Sequence, residues 1–152
     1  VVVVATPWDS AAPTAGSVRE LLAGKVVISM ANALAKVGTE FQPLVPPRGS
    51  VAASVAALVP DSLVAAAFHH LPAKELADLD HPIESDVLIC SDHAHATDVT
   101  SQLVRLIPGL RPLDSGTLSN AAPIEAFAAV LLQLNIKYKT RAAVRLTGID
   151  LD

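Results

Sequence analysis

Disulfide bonding within one copy of this chain is excluded, because Cys90 is its only cysteine. A reducing, cytoplasmic setting is the expectation that follows. Long apolar runs are missing too. No stretch approaches the roughly 18 residues that a membrane span requires, so no membrane partner is expected. The opening valines are too few for a secretory signal and lack its basic lead-in. Aromatics make up only 3% of the residues, with one tryptophan, Trp8. The 51% hydrophobic fraction is therefore mostly Ala, Val and Leu, which suits tightly stacked helix-on-sheet layers. Positive charge is scarce as well: the net charge is -4, which argues against a nucleic-acid partner. Gly-x-Gly-x-x-Gly, the P-loop, paired cysteines, Gly-x-Ser-x-Gly and His-Glu-x-x-His are all absent.

What is present is alternation of strand and helix. A bare apolar strand at Val1–Ala5 is followed by a helix over Ala11–Leu22 that Gly24 closes. Lys25–Met30 reads as a strand buried on both faces. Ala31–Arg48, broken by Gly38 and three prolines, reads as a long irregular working loop. Ser50 is an N-cap for a helix over Val51–Val59. Leu63–Phe68 is a third strand, and His69–Glu84 is irregular with a short helix near Ala73–Leu76. Asp86–Cys90 is a fourth strand, and Ser91 or Asp92 caps a helix from Ala94 to Ile107. Leu110–Asp114 is a short edge strand. A long helix then runs from Ser119 to about Arg145, with Pro123 in its first turn.

This order predicts an α/β fold: a partial Rossmann-like, doubly wound, mostly parallel sheet with a long C-terminal helix. Residues 1–152 are expected to form a single domain. Because the chain opens directly on a strand, we expect it to be the later part of a larger nucleotide-binding domain, truncated at its N-terminus. Ligands of such sheets sit beyond the carboxyl ends of the strands. Those ends are expected at Thr6-Pro7-Trp8, Met30-Ala31-Asn32, His69-His70-Leu71-Pro72 and Ser91-Asp92-His93.

Each candidate has a plainer reading beside it. Neighbours on extended chain point opposite ways, so one of His69 and His70 is expected to face the cleft. It could donate to a bound ring or be satisfied by loop carbonyls. Trp8 could floor a pocket or cover the sheet edge. Asp92-His93-Ala94-His95 has the composition of a metal tract, yet it falls where a helix starts, and no metal is expected. Arg48-Gly49-Ser50 precedes a helix N-terminus that could hold an anion, or simply a normally capped helix. Leu118, Ser119 and Asn120 include two capping residue types that could also touch a ligand. Lys137, Lys139, Arg141 and Arg145 read as the solvated end of a helix. The final helix is apolar around much of its circumference, and part of that face is expected to meet a second subunit.

Five segments in register, VVVVATPWDS, KVVISMANAL, AAAFHHLPAKEL, SDVLICSDH and GLRPLDSGTLSNAAPIEAF, resemble the second part of the F-420-dependent NADP reductases. The Phe-His-His-Leu-Pro stretch and the Leu-Arg-Pro-Leu-Asp…Leu-Ser-Asn block carry most of that specificity. The resemblance implies an oxidoreductase that exchanges hydride between NADP(H) and the deazaflavin coenzyme F-420. Hydride passes directly between the two cofactors, so no catalytic side chain and no metal are implied. It implies Thr6, Pro7 and Trp8 beside NADP. Met30, Ala31, Asn32, His69, His70, Leu71 and Pro72 would lie around the deazaflavin, with Leu118, Ser119 and Asn120 closing the pocket. It also implies a homodimer. The family's Gly-rich phosphate turn has no counterpart in these residues, so this stretch alone is expected to bind NADP weakly or not at all. Two other readings stay open: a non-catalytic remnant that dimerises or keeps only coenzyme binding, and another NADP-linked reductase of the same fold.

Overall fold

A computed structural model describes residues 1–151. The apolar runs become a five-stranded sheet built from β1 (Val2–Val4), β2 (Val26–Ser29), β5 (Leu63–Ala66), β6 (Ser85–Ser91) and β7 (Leu110–Asp114), in that spatial order. All four residues of β2 are buried, as its unbroken apolar run requires. β1–β2, β2–β5 and β6–β7 pair in parallel. The expected α/β class and mostly parallel sheet are therefore what the chain forms.

Alternating side chains feed two cores, one on each face of the sheet. On one face Val27, Val64 and Ala66 meet α1 (Trp8–Ser17) and α3 (Val51–Leu58). Ala11 and Ala15 of α1, with Ala52 and Val55 of α3, are small enough for the two helices to approach closely. On the other face Ile28, Ala65, Val87 and Ile89 pack against Ala96 and Val104 of α5 (Ala94–Arg105).

Four expectations are corrected. The first helix starts earlier, at Trp8, and breaks at Val18 before a short α2 (Arg19–Leu22). The long connection after β2 is not irregular: it folds into an antiparallel hairpin, β3 (Leu34–Val37) with β4 (Glu40–Pro43). Val37 pairs with Glu40, which leaves a two-residue turn whose first residue, Gly38, has a φ of 62°. The last helix is shorter. A 3-10 turn at Leu118–Asn120 leads into α6 (Ala121–Tyr138), which stops where Lys139 turns left-handed. Arg141 and Arg145 thus lie beyond the helix, paired with Glu75 and 3.6 Å from Asp86 respectively.

The fourth correction has the largest consequence. β6 runs antiparallel to β5, with Ala65 opposite Ser91 and Ala66 opposite Cys90. A parallel neighbour needs a crossover that carries the chain back along the sheet. The link from β5 to β6 contains only α4 (Ala73–Leu76), four residues and about 6 Å of helix. The chain therefore re-enters from the edge where it left. Buried Asp86 near the start of β6 is fixed by Arg111, with Nε 2.7 Å from Oδ1 and Nη2 2.8 Å from Oδ2, and by the Leu146 N–H at 2.7 Å. The Arg111 hydrogen bonds hold the Asp86 carboxyl below its ordinary range.

Candidate functional site

Because β6 is reversed, its carboxyl end points toward the amino edge of β5. Ser91-Asp92-His93 therefore leaves the group of strand ends with which it was expected to share a site. Asp92 does not cap α5; its Oδ1 accepts the Leu118 N–H at 3.0 Å, and Ser91 Oγ accepts the His93 N–H at 3.1 Å. Leu118, Ser119 and Asn120 thus stand beside the end of β6. Leu118 is buried in the core with Ala31, while Ser119 and Asn120 are exposed. No group of three or more metal-ligating side chains gathers among the described residues.

The remaining strand ends do converge. Thr6, Pro7 and Trp8 follow β1; Met30, Ala31 and Asn32 follow β2; His69 to Pro72 follow β5. Trp8 is the first residue of α1 and partly exposed. A cleft of about 170 Å³ is lined by Asn32, His69, His70, Leu71 and Pro72 on the strand side. Ala128, Leu131 and Leu132 of α6 face them.

Both histidines line this cleft, against the expectation that only one would. That expectation assumed extended chain. Phe68 instead adopts a φ of 67°, a left-handed conformation that a bulky residue rarely takes. The backbone kinks there and closes a turn, with the Leu71 N–H reaching the Phe68 carbonyl at 3.5 Å. His70 Nε2 lies 2.6 Å from the Ile124 carbonyl oxygen. A carbonyl only accepts, so Nε2 carries the hydrogen and His70 is the Nε2–H tautomer when neutral. Its ring meets Phe127 edge-on with centroids 5.4 Å apart.

His69 differs. Both of its ring nitrogens are buried without a hydrogen-bond partner. Burial, with His70 alongside, pushes its pKa down to about 3. It is a neutral imidazole at physiological pH. Asn32 Nδ2 donates to the His69 carbonyl at 3.0 Å, which ties the tip of β2 to that of β5. Its Oδ1 is left buried and unpaired, as are Thr6 Oγ1 and Ser29 Oγ. Five orphaned polar atoms therefore cluster at the carboxyl ends of three parallel strands. Buried polar groups are nearly always satisfied in a finished fold; Glu75, Thr100 and Gln133, on α4, α5 and α6, also carry buried polar atoms without a partner.

Two features exclude other chemistry. Burial, helped by Glu125, Asp92 and Asp114, pushes the Cys90 thiol up to about 12, so Cys90 offers no thiolate nucleophile. The N-terminus of α3 is not open to an anion. Ser50 Oγ accepts from the Ala53 N–H at 2.9 Å, and the Glu125 carboxylate takes the Val51 and Ala52 N–H groups at 2.8 and 3.0 Å. Arg48 is exposed nearby. Glu125 escaped the sequence reading because its partners lie 74 and 73 residues away.

No protein-family model matches the chain. It is 35% identical to the F-420-dependent NADP reductase of Methanocaldococcus jannaschii, over 99% of this chain and 69% of that protein. It is 36% identical to the F-420-dependent NADP reductase of Methanothermobacter marburgensis, over 98% of this chain and 69% of that protein. In three dimensions it resembles the crystal structure of a protein from an Arthrobacter species, proposed there to be an F-420-dependent NADP reductase. That match has a TM-score of 0.85 at 20% identity, over 97% of this chain and 69% of the other.

Proposed function

Since the chain belongs to the F-420-dependent NADP reductase family, we propose that its cleft holds the paired rings of NADP and the deazaflavin coenzyme F-420 for hydride exchange. The single observation that carries this reading is the set of orphaned polar atoms on Thr6, Ser29, Asn32 and His69, gathered where a parallel sheet presents ligands. The residues fit flat heterocycles. Leu71, Pro72, Ala128, Leu131 and Leu132 supply an apolar wall, and Asn32 and His69 supply polar partners for ring edges.

When bound, the two coenzymes supply the redox chemistry itself, a hydride passing between nicotinamide C4 and deazaflavin C5. The protein's part is to place and shield. His69, held neutral by burial, is a poor general acid at pH 7, which disfavours the alternative of a carbonyl-reducing enzyme. Thr6, Pro7 and Trp8, on the adjoining strand tip, are proposed to border the NADP, and Met30 and Ala31 the deazaflavin. Leu118, Ser119 and Asn120, in the turn that leads into α6, are proposed to close the pocket.

The test is direct. The protein, mixed with NADPH and oxidised F-420, is expected to bleach the deazaflavin absorbance with matching loss of NADPH. No exchange in either direction would refute the reading.

We also propose a homodimer through α6. Phe127, Val130, Leu134 and Tyr138 form an exposed stripe at helical spacing, alongside the buried face that carries Ala128 and Leu131. Wild-type protein is expected to sediment as a dimer, and a Val130→Asp/Leu134→Asp double variant as a monomer in analytical ultracentrifugation. A wild-type monomer at all concentrations would remove the proposal.

A further inference from the structure

Glu125 is a buried carboxyl group whose pKa burial pushes up to about 7, and among the described residues no cation pairs with it. It satisfies the first two N–H groups of α3, and Ser50 Oγ satisfies the third. A helix N-terminus that would otherwise suit an external anion is thus filled by a side chain from α6. The residue before it, Ile124, gives its main-chain oxygen to His70 Nε2 at 2.6 Å. Ala128, Leu131 and Leu132, one to two turns further along the same helix, form the far wall of the cleft. The grip on α3 and the grip on His70 therefore sit on consecutive residues of one rigid element.

We propose that Glu125 is a positioning residue for the cleft: its two-pronged hold on α3 sets where α6 stands, and thereby where Ile124 holds the His70 ring. The inference rests on reading the cleft as the ring-holding site. A carboxylate suits this role because its two oxygens meet two parallel N–H groups, which fixes both the distance and the rotation of α6. An amide of equal size would turn a donor toward one of them. A carboxylate one methylene shorter would reach them only by drawing the helix inward.

Three variants test it: Glu125→Gln, Glu125→Asp and Val51→Pro. The last removes one donor from the opposite side, at a helix position where proline is well tolerated. Each is read by NMR of the His70 imidazole and by the kcat and KM of coenzyme exchange. The expected result for Glu125→Gln and Val51→Pro has three parts. The His70 Nε2–H signal broadens as it meets solvent. The His70 titration, which burial holds below its ordinary value, rises toward that value as burial is relieved. Turnover falls on the order of tenfold with a smaller change in KM. Glu125→Asp should recover part of this.

If the variants melt earlier yet keep wild-type His70 signals and turnover, Glu125 is only a cap and the proposal is overturned. If Glu125→Gln does not fold, Val51→Pro carries the same comparison. If wild-type protein exchanges no hydride at all, the reading of the cleft fails, and the His70 signals still decide whether Glu125 positions that ring.

Discussion

A His69→Leu variant is expected to be more stable than the wild type at pH 7 and far less active. The two ring nitrogens of His69 are buried with no partner, so the fold carries their desolvation cost without return. Leucine fills a similar space and has no polar atom to strand. Removing the unpaired groups is expected to gain about 1–2 kcal/mol. The same change deletes a polar partner for a bound ring, and kcat/KM for coenzyme exchange should fall on the order of a hundredfold or more.

The gain should also depend on pH. His69 titrates near 3 when folded, well below the ordinary 6.5 of the unfolded chain. Below pH 6.5 the unfolded chain takes up a proton that the folded chain refuses. Wild-type stability therefore drops by up to about 1.4 kcal/mol for each pH unit between 6.5 and 3. The variant lacks that penalty, and its advantage should grow by about 2 kcal/mol between pH 7 and pH 5. Urea unfolding at both pH values measures this. A variant less stable than wild type at pH 5 would show that His69 is satisfied after all.

The second large effect is structural. Gly109→Ala is expected to destabilise the protein by more than about 2 kcal/mol. Gly109 has a φ of 85°, in the left-handed region that an alanine adopts only at a cost. A Cβ there would lie 2.9 Å from the Ile83 carbonyl carbon and closer still to its oxygen. Both are main-chain atoms and cannot swing aside. The turn also feeds β7, because the Ser85 N–H reaches the Gly109 carbonyl at 3.3 Å. The clash therefore falls on the β6–β7 junction. A melting temperature within a degree or two of wild type would contradict the rigidity of that turn.

Much of this architecture was legible before any coordinates. The continuous Val-Val-Ile run became β2, because a strand buried on both faces needs no alternation. Ser50 caps α3 as its residue type indicated, and the four-residue helix Ala73–Leu76 stands where it was placed. The hairpin at Leu34–Pro43 was missed, although its signal was present. Gly38 opens a two-residue turn between Val37 and Glu40, but the prolines around it pointed to a loop. The helix after Ser119 was drawn too long, because nothing local announces the left-handed turn at Lys139.

The sequence alone determined which residues are strand tips and which faces are apolar, since both depend on neighbours a few positions apart. It did not determine which tips meet. Three arrangements decided that: the left-handed kink at Phe68, which sends both histidines to one cleft and which no neighbouring residue announces, and two long-range ones, the reversal of β6 and the reach of α6 across to α3. The last two join residues far apart in the chain, and their energies come from packing and buried hydrogen bonds that exist only once the fold has closed.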